Sequence, residues 1–141
     1  MYHGRFKGTH YELGYKWGAL VRSKNRLILH HVPFPITKER RKFADACLPL
    51  YEQHFPEVLE EIRGIADGQQ CNFEDLAAVL LSMYCIMPQA NCSCFAVKNK
   101  NGLLFGRNSD FLTSIEKLYM NALYKFPSGS YAFQGNTTAF V

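Results

Sequence analysis

What most constrains this chain is a change of period near residue 90. Up to about Ile86 the apolar residues recur at helical spacing. After Pro88 they fall into short strand-like runs separated by Asn, Gly, Pro and Ser. A chain that passes once from the 3.6-residue period to the two-residue period predicts an α+β fold, with helices in the first part and a sheet in the second.

The helical part has readable punctuation. Thr9 and Glu12 form a capping box that starts a helix near His10 and carries it toward Leu29, with Leu13, Trp17, Leu20 and Val21 on one face and Pro33 and Pro35 beyond its end. Gly14 and Gly18 sit one turn apart inside it; each costs about 1 kcal/mol relative to alanine, an expense that close approach of another backbone would explain. A second helix follows Thr37. A third begins at Pro56, carries the stripe Val58, Leu59, Ile62, Ile65 and Ala66, and is closed by Gly68. Asn72 caps a fourth, from Phe73 to about Ile86, which is apolar nearly all round and so belongs in the core.

In the second part, Ser93 to Lys98 and Leu103 to Asn108 read as two strands joined through Asn101-Gly102, a hairpin signal. Leu118 to Phe126 reads as a strand bounded by Pro127, and Ser130 to Gln134 and Thr137 to Val141 as two more that complete a meander. A sequence that stops on an apolar strand implies a fragment of a longer protein.

Composition narrows the function classes. With 48% hydrophobic and 20% charged residues the chain is not disordered. The net charge of +4 is mild, and its densest cluster, Lys38 to Lys42, reads as a solvated helix face with a partner or anionic surface as the alternative. No long basic stripe interleaved with aromatics points to nucleic acid. Residues 1–20 lack the apolar core of a signal peptide, and Leu76 to Met87 is too short for a membrane span. The expectation is a soluble, cytoplasmic protein without a membrane span. Five cysteines with no sign of secretion argue against a disulfide framework, and no Cys/His spacing resembles a zinc site, so neither metal nor organic cofactor is expected.

The segment able to carry chemistry is Asn91-Cys92-Ser93-Cys94-Phe95, followed by Gly106-Arg107-Asn108-Ser109-Asp110-Phe111. A thiol needs a base, and one economical base is the residue's own α-amine, with a pKa of about 7.7–8.0. That requires cleavage of the bond before the cysteine. A hairpin brings residues 107–110 back beside 92–94. There Asp110 can accept a hydrogen bond from an α-ammonium group, Arg107 can favour a thiolate or anchor a carboxylate, and Asn108 can donate from its amide. Plainer readings stand beside these. A cysteine opening a strand is often a small buried apolar residue, Arg107 and Asp110 could be a structural ion pair, and Cys94 could replace Cys92 as nucleophile. Spacing does not decide between the two cysteines.

These two motifs resemble the linear-amide carbon–nitrogen hydrolases, the N-terminal-nucleophile family that includes choloylglycine hydrolases, penicillin V acylases and the penicillin acyltransferases of the peptidase C45 type. Cys92-Ser93-Cys94-Phe95 matches the family's nucleophile segment, and Gly106-Arg107-Asn108-Ser109-Asp110-Phe111 its Gly-Arg-Asn-x-Asp-aromatic motif. That register makes Cys92 the nucleophile. Phe6 to Gly18 resembles the Gly-x-x-x-Glu-x-Gly-x-x-x-Gly opening of acyltransferase-like members, and Phe55-Pro56 through Ile65 fits the same helical segment.

The resemblance implies the start of an αββα sandwich in residues 92–141, with residues 1–91 as a helical propeptide that stays bound as a small subunit after self-cleavage between Asn91 and Cys92. Asn91 departs from the glycine common at that position. Cys92, Arg107 and Asp110 are then catalytic, Asn108 supports them, and the substrate is a small-molecule amide. The family is longer than this chain. Its oxyanion-hole asparagine and a later arginine fall in the remaining C-terminal part of the fold, so the fragment alone is expected to be inactive. The alternatives are a catalytically inactive member acting as a binding or structural piece, and a thiol-redox or metal module using Cys92 and Cys94.

Overall fold

A computed structural model of the chain describes residues 2–83, 85, 86, 91–110, 112–127 and 132–138. Pro88, Phe111 and residues 128–131 and 139–141, which carry parts of the sequence reading, lie outside the described residues. The fold is α+β. In order, the elements are β1 (Tyr2–Lys7), α1 (His10–Ser23), α2 (Ile28–His31), α3 (Lys38–His54), α4 (Pro56–Gln69), α5 (Phe73–Met83), β2 (Asn91–Asn99), β3 (Gly102–Asp110), a 3₁₀ turn (Thr113–Leu118), β4 (Tyr119–Lys125) and β5 (Ala132–Thr138).

The starts of the helices follow the sequence. Thr9 Oγ1 accepts the Glu12 N–H at 3.3 Å and Glu12 Oε2 accepts the Thr9 N–H at 2.8 Å, closing the capping box. Pro56 takes the first position of α4, and Asn72 Oδ1 accepts the Asp75 N–H at 2.9 Å to start α5. The ends differ. α1 stops at Ser23 rather than running toward Leu29. Asn25 takes a left-handed conformation (φ 55°), one asparagine tolerates, while the Lys24 and Arg26 N–H groups bond back to Val21 O. The reversal sets Ile28 fully inside the core, where its N–H donates to Gln69 Oε1 at 2.8 Å.

Gly68 does not close α4. The helix continues to Gln69 and ends on left-handed Gln70. Instead Gly68 faces α1. The Gly14 and Gly18 pair of α1 meets Gly64 and Gly68 of α4, the same one-turn spacing on both helices. A Cβ at Gly18 would lie 2.6 Å from Ile65 O, and one at Gly64 would collide with Tyr11 O. The two backbones touch, as the cost of Gly14 and Gly18 implies.

The basic run in α3 is not simply a solvated face. Arg40 is buried; its Nη1 donates to Ser82 Oγ at 2.9 Å, its Nη2 to Ile86 O at 2.9 Å, and its guanidinium lies 3.8 Å over the Phe34 ring. Arg41 forms an ion pair with Asp75. Arg40 meets the C-terminal end of α5, whose carbonyls need donors, while Arg41 meets an acidic residue of its first turn.

Two sheets form. β4 is the centre of a three-stranded sheet, parallel to β1 and antiparallel to β5; β2 and β3 make a separate antiparallel hairpin. β1 was not expected from the sequence; its pairing with β4 draws the first segment into the sheet. Gly135 and Asn136 do not break the chain into two strands as expected. They stay in register with Ala122 and Asn121, so β5 is one strand whose ladder overrides local turn preference. The core lies between this sheet and the helices: Met120, Ala122 and Tyr124 of β4 pack with Leu13, Trp17, Ile62, Ile65 and Leu76. Glu61 is buried in the same layer. His10 Nδ1 is 3.6 Å from its Oε2, too long for a hydrogen bond, and the His10 ring stacks on Phe126 at 4.2 Å.

Candidate active site

The hairpin places the chemistry. Lys100 and Asn101 form its two-residue loop, with Asn99 Oδ1 accepting the Asn101 N–H at 2.8 Å and Gly102 at φ 130°, so that Asn99 faces Gly102. From that pair the register runs down to Cys94 opposite Arg107, Cys92 opposite Ser109 and Asn91 opposite Asp110. Side chains alternate along each strand, so Cys92, Cys94, Arg107 and Ser109 share one face, and Ser93, Asn108 and Asp110 belong to the other.

Two side chains converge on the sulfur of Cys92. Arg107 Nη2 lies 3.7 Å from it, although Arg107 pairs with Cys94 across the ladder, and Ser109 Oγ lies 3.9 Å from it. The Arg107 guanidinium, then the Asp110 backbone N–H and the Ser109 hydroxyl, hold the Cys92 thiol below its ordinary range. Burial pushes the thiols of Cys47 and Cys71 the other way. All five cysteines are free, and Cys92, Cys94 and Cys85 are exposed. Exposure together with cationic and N–H donors is what a reactive thiolate needs.

The other expected residues stand nearby. Asn108 Nδ2 donates to Asp110 Oδ1 at 2.9 Å, which fixes the carboxylate on the face opposite the Cys92 sulfur. Arg107 and Asp110 do not form an ion pair; Arg107 is turned to the thiol instead. Ser109 was not singled out in the sequence. Counting back from a two-residue loop at Lys100-Asn101 would have found it, because that count sets Ser109 opposite Cys92. Ser109 Oγ also lies 3.2 Å from the hydroxyl of Tyr119, the first residue of β4. Between the hairpin and the three-stranded sheet is a cleft of about 530 Å³, lined by Leu103, Phe105 and Arg107 on one side and by Asn121, Gln134 and Asn136 on the other. Among the described residues, no group of three or more His, Cys, Asp and Glu side chains could hold a metal ion, and no helix is long and apolar enough to cross a membrane.

No family model matches the chain. Its sequence is 32% identical over 127 residues to the beta-alanyl-dopamine/carcinine hydrolase of Drosophila melanogaster. The chain is a homologue of a hydrolase. The match takes in 76% of this chain and 32% of that protein, so the chain spans about a third of the length of its curated relative.

Proposed function

We propose that Cys92 is the nucleophile of a linear-amide carbon–nitrogen hydrolase or acyltransferase of the N-terminal-nucleophile type, freed by self-cleavage between Asn91 and Cys92. The observation that carries this reading is the convergence of Arg107 Nη2 and Ser109 Oγ on the Cys92 sulfur at 3.7 and 3.9 Å, with the Asp110 backbone N–H beside them. The relative acts, by its name, on beta-alanyl-dopamine and carcinine. The substrate proposed here is correspondingly a small-molecule amide.

In cleavage, the Cys92 sulfur attacks the carbonyl carbon of Asn91. The peptide bond breaks, a thioester forms, and water releases the Asn91 carboxylate. The amine left on Cys92 then serves as base. It takes the thiol proton, the thiolate adds to the substrate carbonyl, and the ammonium returns the proton to the leaving nitrogen as the carbon–nitrogen bond breaks. Water or a second amine resolves the acyl-enzyme. Asp110 lies opposite Asn91 in the ladder, at the level where that amine would emerge, and Asn108 holds its carboxylate. Arg107 links the thiol to the cleft, which offers room for the acyl or amine part of the substrate.

The rest of the reading concerns what completes the site. Phe95 and Leu104 on one hairpin face and Leu103 and Phe105 on the other are 62–71% exposed, apolar surface that the remaining C-terminal part of the family fold would cover. That part would also bring the oxyanion-hole asparagine, and this chain alone is expected to lack turnover. Residues 1–91 would stay bound after cleavage, because β1 pairs with β4 along six residues and α1 and α4 share the β4 core.

Intact mass and amino-terminal sequencing of the purified protein, beside Cys92→Ala, test the proposal. Wild type should yield a second terminus at Cys92, with the two pieces co-eluting in gel filtration, and the alanine variant should stay whole. A wild-type chain that never shows this terminus removes self-cleavage.

A further inference from the structure

Ser109 and Tyr119 extend the site beyond the residues named by the sequence motifs. Ser109 stands directly opposite Cys92 in the ladder, the arrangement that brings cross-strand side chains closest. Its Oγ is 3.9 Å from the sulfur and 3.2 Å from Tyr119 Oη. Tyr119 is half-buried and packs against the core, and its backbone belongs to β4, paired with β5. Its hydroxyl is therefore presented from the core sheet to a hairpin that is otherwise largely exposed.

We propose that Tyr119 and Ser109 form a two-hydroxyl relay that delivers one directed hydrogen bond to the sulfur of Cys92, Ser109 touching the sulfur and Tyr119 acting through Ser109 as a positioning residue. This rests on the reading of Cys92 as nucleophile. The direction follows from counting protons. A hydroxyl has one hydrogen, and a thiolate only accepts. Ser109 must then donate to the sulfur, and its lone pairs are left to accept from Tyr119, so the phenol donates. When the sulfur carries its proton, the order can reverse: the thiol donates to Ser109, and Ser109 to Tyr119. The relay changes polarity with the charge on sulfur by rotating two hydroxyls, with no proton passed to either residue. When the thiolate adds to a carbonyl, its charge moves to the carbonyl oxygen and the Ser109 hydrogen is released. A second hydroxyl behind the first strengthens the first as a donor. It also holds Ser109, which is half-buried, in one rotamer.

The test is the pH dependence of iodoacetamide alkylation of the full chain, resolved peptide by peptide so that exposed Cys94 and Cys85 are references in the same digest. Wild-type Cys92 should react with a half-point below both. Ser109→Ala should raise that half-point. Tyr119→Phe, which keeps the ring and its packing, should raise it by about half a pH unit, a roughly threefold slower reaction at pH 7. The double variant should match Ser109→Ala alone, since Tyr119 acts only through Ser109. Tyr119→Phe leaving the Cys92 profile unchanged, or moving Cys94 equally, overturns the relay while leaving the nucleophile assignment standing. A wild-type Cys92 that titrates with Cys94 overturns both.

Discussion

Replacing Glu61 by glutamine probes the tightest part of the core. Glu61 is 2% exposed, and burial raises its carboxyl from the usual 4.5 to about 8. Between those values the folded protein keeps a proton that the unfolded chain gives up, so stability must fall as pH rises through the window. At 1.36 kcal/mol per unit, the full loss is about 4–5 kcal/mol, a large share of the roughly 5–15 kcal/mol of a typical domain. Two groups bear on Glu61. His10 of α1 is lowered by burial, partly offset by Glu57. A histidine lowered in this way adds stability as pH rises toward 6.5, so it opposes Glu61 there. Tyr124 of β4 is raised by burial and by Glu61 and stays neutral throughout. The net decline should therefore be steepest between pH 6.5 and 8. Glutamine keeps the shape and cannot ionise. Glu61→Gln should match wild type only below about pH 4.5, exceed it by about 1 kcal/mol near pH 5.5 and by about 4–5 kcal/mol above pH 8. Urea unfolding followed by the fluorescence of Trp17, the one tryptophan and a member of the same core, measures this at each pH. Parallel stability curves for the two proteins from pH 5.5 to 8.5 would refute the argument that burial of this carboxyl governs the pH response.

Two further outcomes follow from the packing. Gly64→Ala places a methyl against Tyr11 O, so despite a gain of about 1 kcal/mol in helix propensity it should destabilise by about 1–3 kcal/mol, read as a lower urea midpoint; a raised midpoint would mean that the α1–α4 contact is loose. Arg40→Ala removes the donors to Ser82 and Ile86 and the cover over Phe34, and should cost about 2–4 kcal/mol by the same measurement, with Arg40→Lys, which keeps charge without the planar fork, costing less.

Elements with local causes were legible: the Thr9–Glu12 box, Pro56, Asn72, the hairpin and the buried stripe of β4 all depend on residues within a turn or two of each other. What was missed depends on partners far away in the chain. β1 offers only one short alternation, Tyr2, Gly4 and Phe6 against His3, Arg5 and Lys7, and it becomes a strand because β4, over a hundred residues on, supplies its ladder. Arg40 looks like any charge in a basic run until the C-terminus of α5 arrives above it. Other signals were present but differently weighted. Gly64 and Gly68 repeat the spacing of Gly14 and Gly18, and Glu61, three residues after Val58 and four before Ile65, lies on the apolar stripe of α4.

The site shows the same division more sharply. Motif spacing brings Arg107 and Asp110 near Cys92, but a strand has two faces, and only the register assigns each side chain to one. A one-residue shift in the hairpin would turn Arg107 and Ser109 away from the sulfur and put Asn108 and Asp110 beside it, replacing a cation with a carboxylate that raises a thiol's pKa. The register that forms sets the guanidinium and the Ser109 hydroxyl at Cys92 and leaves Asp110 paired with Asn91 on the other face. The separation has a chemical logic. A thiolate is favoured by N–H and O–H donors and an ammonium by a carboxylate, so under the proposed reading each face of the strand would serve one of the two groups of Cys92.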